Sequence, residues 1–150
     1  FYFIGKGQDK PKSMNLAKEL GLKNIEFMDM MRPEDLRVKI SESDVVLGLF
    51  GNTPKTSLVI PNKVYEALAM KKPIITADTK AVRELFDEND MYLVRPAHPE
   101  ALAQAIVELK NNSELRDKLS ENGYKKFKEK ASSKVLGGEL LNILNEIKKS

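Results

Sequence analysis

Val45-Val46-Leu47-Gly48-Leu49-Phe50, then Gly51-Asn52-Thr53-Pro54-Lys55-Thr56-Ser57-Leu58-Val59-Ile60, then Pro61-Asn62-Lys63-Val64-Tyr65-Glu66-Ala67-Leu68, is the passage that decides the fold. The first run is short, apolar and β-branched at its start, the pattern of a strand buried on both faces of a parallel sheet. The ten residues after it show neither strand nor helix character. The last eight take up helical spacing, with Val64, Ala67 and Leu68 on one face and Asn62, Lys63 and Glu66 on the other. Strand, loop and helix in that order make half of a βαβ unit.

The same alternation repeats outward in both directions. Further strands are predicted at Phe1 to Ile4, Ile25 to Met28, Pro73 to Thr76 and Met91 to Val94, beside the one at Asp44 to Phe50. Between them, Ser13 is placed to cap a helix carrying Leu16, Ala17 and Leu20 that Gly21 stops, and Pro33 starts another carrying Leu36 and Ile40. Helices are also expected over Pro61 to Met70 and Thr79 to Phe86. After the last strand only helices follow: one striped by Leu102, Ala105, Ile106 and Leu109, one by Leu115, Leu119 and Phe127, one by Val135, Leu140, Leu141, Leu144 and Ile147. The expected fold class is α/β, a mostly parallel sheet of about five strands with helices on both faces and helices at the C-terminal end.

Composition bounds the function. A chain of 150 residues, 41% hydrophobic and 31% charged, fits one water-soluble domain, and no apolar run reaches the length of a membrane span. The absence of cysteine excludes disulfides, thiolate metal sites and thiol nucleophiles, and a single histidine excludes a multi-histidine metal site. Residues 1–110 carry 16 basic and 16 acidic side chains, whereas residues 111–150 carry nine and six, so the whole surplus of +3 lies in the last forty. Its densest part, Tyr124-Lys125-Lys126-Phe127-Lys128-Glu129-Lys130, reads first as a solvated helix face and second as a footprint for an anionic membrane surface. Neutrality over the first 110 residues argues against a nucleic-acid groove. The chain opens in mid-pattern on Phe1-Tyr2-Phe3-Ile4, which reads as a segment of a longer protein.

Ligands of open parallel sheets bind at the carboxyl ends of the strands. The loops to consider there are Gly5-Lys6-Gly7-Gln8, Asp29-Met30-Met31, Gly51 to Ile60 and Ala77-Asp78-Thr79. The sharpest signal is the start of the helix at Pro61. Proline in the first turn gives up an amide that would be unpaired anyway, and Asn62, Lys63 and Val64 are expected to keep N–H groups free for an anion. That helix end carries about half a positive charge, so phosphate suits it, and Lys63 adds a full charge. Glu66, one turn on, can accept both hydroxyls of a ribose; the plainer reading pairs it with Lys63 three residues back. A ten-residue loop without regular structure inside a compact domain favours the functional reading. Gly5-Lys6-Gly7 is a partial glycine fingerprint or a plain turn, and Met30 and Met31 line a slot for a base or fill a gap. His98 reads as a capping or solvent residue at the start of the helix after Pro99, and Asp78 and Thr79 read first as caps for the helix before Phe86 and second as neighbours of a sugar.

Ile60-Pro61-Asn62-Lys63-Val64-Tyr65-Glu66-Ala67-Leu68-Ala69-Met70-Lys71-Lys72-Pro73-Ile74-Ile75 resembles the donor-binding half of the glycosyltransferases of family 4. Phe3-Ile4-Gly5-Lys6-Gly7, Ala81-Val82-Arg83-Glu84-Leu85 and Leu93 to Ile106 extend the likeness over nearly the whole chain. The resemblance implies a three-layer Rossmann-like domain of the GT-B fold, in this case the C-terminal domain. It also implies retaining transfer of a sugar from a nucleoside-diphosphate sugar to an acceptor hydroxyl in glycan or glycolipid biosynthesis. Glu66 would then hold the ribose, the amides around Asn62 to Val64 the diphosphate, and Gly5 and Met30 would border the base. Lys63 would assist the leaving diphosphate, Pro61 would open the helix, and Gly51, Asn52 and Thr53 would reach the sugar. No metal and no resident cofactor are implied, the nucleotide-sugar being a substrate. The implied partner is an N-terminal acceptor domain of the same protein, and the implied setting is cytoplasmic and membrane-peripheral.

The sequence departs from the family at Leu58, where a second glutamate commonly touches the donor sugar. The family's first strand and helix of this domain would precede Phe1. The fragment alone is therefore expected to be catalytically silent. A nucleotide-sugar epimerase of the same fold and a non-enzymatic nucleotide-binding domain are the alternatives.

Overall fold

The computed structural model describes residues 1–148. Among the described residues, five strands and eight helical segments follow one another in the order read from the sequence with one short helical segment added in the loop after the third strand, and every strand pairing is parallel. The fold class is α/β. The five strands do not form one continuous ladder: two pair in a first unit, Phe1–Lys39, and three in a second unit that starts at Ile40.

In the first unit, β1 (Tyr2–Ile4) pairs with β2 (Glu26–Met28) so that Phe3 faces Phe27, and their rings stack 5.3 Å apart across the ladder. Helix α1 (Lys10–Glu19) starts earlier than expected. Its N-cap is Asp9 and Ser13 lies inside it, because Pro11 in the first turn fixes a helical φ before Ser13 is reached. Its end is as expected: Gly21 adopts φ +62°, and the Gly21 and Leu22 amides close back on Lys18 and Ala17. The Lys10 ammonium ties α1 to β2 by donating to the Met28 carbonyl at 2.8 Å and to Asp29 at 2.7 Å, which holds the Asp29 carboxyl below its ordinary range. Helix α2 (Pro33–Glu42) starts at its proline, with Glu34 and Asp35 in the first turn where the helix dipole favours them.

In the second unit the strand order is β3 (Val46–Leu47), β4 (Ile74–Ala77), β5 (Tyr92–Val94). The strand buried on both faces is β4, with all four residues buried, and not the run at Asp44 to Phe50, whose ladder residues Val46 and Leu47 are half-buried. Position explains this: β4 is the middle strand of its sheet and β3 is at its end. Successive residues of a strand point to opposite faces, so Ile74 joins a core of Val64, Ala67, Leu68, Val82, Phe86 and Met91, while Ile75 joins Val94, Ala105, Leu109 and Leu119. Helix α4 (Asn62–Ala69) and the short α5 (Lys80–Arg83) thus cover one face and α6 (Pro99–Asn111) the other, giving three layers. Each fully buried large side chain contributes about 1.5–3 kcal/mol.

Helix α7 (Ser113–Lys130) clasps the turn before β5. Gly123 lies so close to that turn that a Cβ there would stand 2.5 Å from the Asp90 carbonyl oxygen and 2.6 Å from Leu68 Cδ2. Asn122 donates to the Asn89 carbonyl at 3.0 Å, and the Lys126 ammonium stands 3.8 Å from the Asp90 carboxylate. Helix α8 (Ser133–Ile147) follows. The apolar stripe that marked it in the sequence is exposed at Leu140, Leu141, Leu144 and Ile147, and Val135 is half-buried. Among the described residues no helix is long and apolar enough to cross a membrane.

Asp90 is 5% exposed and accepts a hydrogen bond from the Asp87 N–H at 3.0 Å. Burial raises its carboxyl above the ordinary 3.8, against the lowering pull of that hydrogen bond. The folded chain therefore binds this proton more tightly than the unfolded one. The stabilisation is complete below pH 3.8 and is lost as pH rises through the folded value, opposite in sign to Asp78 and Glu88, whose values are lowered. Asp90→Asn keeps an acceptor for the Asp87 amide without the charge. It is expected to raise stability near neutral pH and to flatten this part of the pH profile in urea unfolding; a profile parallel to that of the unsubstituted chain contradicts the account.

Candidate functional site

The carboxyl end of β3 and the start of α4 bring together most of the residues singled out in the sequence. Beyond β3 the ladder continues irregularly: the Gly48 N–H donates to the Ile75 carbonyl at 2.8 Å and the Ala77 N–H to the Leu49 carbonyl at 3.0 Å. Thr76, buried in the middle strand, adds its hydroxyl there, accepting from the Leu49 N–H at 3.3 Å and donating to the Leu49 carbonyl at 3.4 Å. Gly48 is packed so tightly that a Cβ would lie 2.4 Å from Thr76 Oγ1. The Phe50 carbonyl then receives the Ala97 N–H at 2.7 Å, which pins the loop after β5 to the loop after β3.

The loop expected to lack regular structure contains one turn of helix, α3 (Pro54–Ser57). Pro54 pre-sets its first turn, and Thr53 caps it by accepting from the Thr56 N–H at 3.3 Å. The Thr56 hydroxyl returns a bond to the Thr53 carbonyl at 2.8 Å, and Gly51 packs against the Thr56 methyl. Gly51, Asn52 and Thr53 are thus held at the strand end by a small capped turn. Leu58 is 74% exposed just past that turn.

Helix α4 starts one residue later than its proline suggested. Pro61 is the N-cap, extended at ψ 147°, and its carbonyl accepts the Val64 N–H at 2.9 Å. The expectation of a free Val64 amide is therefore corrected: a tight first turn consumes it, and the Val64 side chain is wholly buried. Among the described residues nothing accepts from the Asn62 and Lys63 amides, which head the helix. Lys63 donates its ammonium to the Gly48 carbonyl at 3.4 Å. That contact settles the pairing expected from spacing: Lys63 turns to the strand end, and Glu66 is exposed with no ion pair or side-chain hydrogen bond among the described residues.

The neighbouring strand ends are structural. Thr79 caps α5 by accepting from the Val82 N–H at 3.3 Å, and His98 caps α6 by accepting from the Ala101 N–H at 3.1 Å, both as read from the sequence. Asp78, expected to share the α5 cap with Thr79, instead forms a two-pronged pair with Arg83, at 2.7 and 2.9 Å, and the guanidinium holds its carboxyl below the ordinary range. In the first unit, Gly5 ends β1 at φ +149°, a conformation that favours glycine, beside a cavity of about 160 Å³ lined by Phe3, Gly7, Lys10 and Phe27. Met30 lies beyond β2 and is 78% exposed.

Thr76 and Gly48 were not singled out as site residues. The signals were present: a glycine interrupting an apolar strand marks a close backbone approach, and a hydroxyl in an otherwise apolar strand needs a partner.

A parallel α/β unit with an open helix N-terminus facing a glycine-bearing strand end is the general form of a nucleotide-binding domain. The model for glycosyl transferases group 1 matches residues 1–112 of the chain, and the chain belongs to that family. It is 31% identical over 85 residues to the capsular polysaccharide biosynthesis glycosyltransferase CapM of Staphylococcus aureus, covering 56% of this chain and 22% of that protein. Among solved structures it is similar to Anabaena HepE in complex with UDP and glucose, with TM-score 0.82 and 18% identity over 97% of this chain and 40% of that one. It is similar too to the C-terminal domain of a group 1 glycosyl transferase, LpcC, from Francisella tularensis, with TM-score 0.65 and 22% identity over 85% and 66% of the two chains. The chain spans between 22% and 37% of the length of the curated relatives it matches.

Proposed function

We propose that this chain is the nucleotide-sugar-binding part of a retaining glycosyltransferase of family 4, working in the biosynthesis of a glycan or glycolipid. The observation that carries the reading is Glu66, an exposed carboxylate that among the described residues has no partner, one turn from two amides at the head of α4 that among the same residues have no acceptor. The Asn62 and Lys63 amides take the diphosphate, the Lys63 ammonium adds charge beside it, and Glu66 accepts the ribose hydroxyls. Gly51, Asn52 and Thr53 line the sugar, their backbone standing in for the glutamate replaced by Leu58. In the reaction the bond from the anomeric carbon to the β-phosphate oxygen breaks, and its electron pair stays with the diphosphate. The acceptor oxygen bonds to that carbon, and its proton passes to the departing phosphate oxygen. Positive groups fixed near the leaving oxygen lower the barrier to that step.

This reading makes the chain the C-terminal donor-binding domain without its first strand-helix unit, the acceptor domain lying elsewhere in the full-length protein. The short span relative to the curated relatives and the likeness to an isolated C-terminal domain support it. The donor is a substrate, and the reaction as written uses no resident metal or cofactor. The whole enzyme works in the cytoplasm at the membrane periphery.

The test is a thermal-shift screen of the full-length protein against uridine, guanosine and adenosine diphosphates and their sugar conjugates. At a ligand concentration about a hundred times Kd, stabilisation of about 2.7 kcal/mol is expected for the matching base. No shift with any of them rejects nucleotide binding, and release of an epimer without acceptor rejects transfer.

A further inference from the structure

We infer that Thr76 is a positioning residue for the nucleotide site, fixing the end of β3 so that the Gly48 carbonyl seats the Lys63 ammonium. The inference rests on the nucleotide reading above and names a residue outside the set that touches the ligand.

Thr76 is 1% exposed in a strand whose other members, Ile74, Ile75 and Ala77, are apolar. A hydroxyl buried there is costly unless bonded. It makes two bonds, both to the backbone of Leu49, accepting from its N–H at 3.3 Å and donating to its carbonyl at 3.4 Å. Those bonds lie beyond the last ladder pair between β3 and β4, Leu47 with Ile75, and add a side-chain tie to the backbone bonds from the Gly48 N–H to Ile75 and from the Ala77 N–H to Leu49 that carry the strand on there. The contact is close enough that residue 48 has no room for a Cβ. Gly48 is therefore clamped on one side by Thr76, and its carbonyl is the acceptor for Lys63 at 3.4 Å.

A lysine side chain is a mobile point charge on a long stem, and the spacing on α4 offers it Glu66 as a competing partner. The fixed carbonyl decides that competition. Lys63 is held at the strand end, and Glu66, unpaired among the described residues, is left for a hydroxyl ligand. Thr76 thus acts on a phosphate through Gly48 and Lys63 without touching it.

The inference is tested by a double-mutant cycle in the full-length protein, read by titration calorimetry with the nucleoside diphosphate that binds and with the matching nucleoside. Thr76→Val removes the hydroxyl and keeps the branched shape, and is expected to weaken diphosphate binding about three- to tenfold, the worth of one net hydrogen bond. Nucleoside binding should be unchanged, Thr76→Ser should restore the diphosphate affinity, and on a Lys63→Met background Thr76→Val should cost nothing further. Equal losses on both backgrounds, or full affinity in Thr76→Val, overturn the inference. A wild-type protein that binds none of the diphosphates overturns the nucleotide reading itself. Should Thr76→Val fail to fold, amide exchange in the wild type serves instead: the Leu49 amide is expected to be protected and to slow further with diphosphate bound. Rapid exchange there, unaltered by ligand, overturns the inference.

Discussion

Gly123→Ala is expected to destabilise the chain by about 2 kcal/mol, although alanine is the better helix former. In an exposed helix interior the same change is worth about 1 kcal/mol of stabilisation. At this position the added methyl would stand 2.5 Å from the Asp90 carbonyl oxygen and 2.6 Å from Leu68 Cδ2. Leu68 is wholly buried, and the carbonyl is main chain, held on a turn whose neighbour Asn89 is bonded to Asn122. Neither can yield cheaply, and overpacking of this kind costs about 3 kcal/mol at the upper end of its usual range. The methyl loses by more than the helix gains. Gly138→Ala on α8 supplies the control, since a Cβ there meets nothing within 4 Å and the substitution should stabilise by about 1 kcal/mol. Urea unfolding of both variants reads the two signs. Stabilisation by both substitutions would show that α7 does not lie against the Asp87–Asp90 turn as described.

Glu66→Ala is expected to weaken nucleoside diphosphate binding by about 1.5–3 kcal/mol, the worth of hydrogen bonds to a charged acceptor, or roughly ten- to a hundredfold in Kd. The unfolding midpoint should not move, because the carboxylate is exposed and has no partner to lose among the described residues. Glu66→Gln keeps an acceptor of the same length without the charge and should fall between the two. The split between affinity and stability is the discriminating result. Calorimetry showing unchanged affinity in Glu66→Ala removes the residue from the site, and a large loss of stability assigns it to the fold.

Much of this was legible in the residues because it is local. Pro33, Gly21, Thr79 and His98 mark helix ends by chemistry that acts within a turn or two, and each does so as read. Ser13 misled because a capping residue is recognised only relative to the first turn, and Pro11 had already set that turn. The loop after β3 hid a helix for a similar reason: four residues with a threonine cap carry too little periodicity to register. The strand buried on both faces was misassigned because hydrophobicity along a segment does not say which strand is the middle one of its sheet. Val45 to Phe50 is the more apolar run, yet Pro73 to Ala77 supplies the fully buried strand. At the candidate site, the sequence singled out Glu66 and the amides of Asn62 and Lys63, groups that have no partner among the described residues. It did not show that Val64 spends its amide on Pro61, nor that Lys63 turns to Gly48, since both depend on where a backbone oxygen stands in space.

The contact between Gly48 and Thr76 also constrains how such a chain can change over generations. A side chain at 48 needs the space that the threonine occupies, and loss of the threonine hydroxyl leaves the Leu49 amide wanting. Two residues on neighbouring strands, far apart in the chain, thus limit each other: position 48 stays without a side chain while position 76 is branched, and position 76 keeps a hydroxyl, as threonine or serine, while the Leu49 amide needs an acceptor.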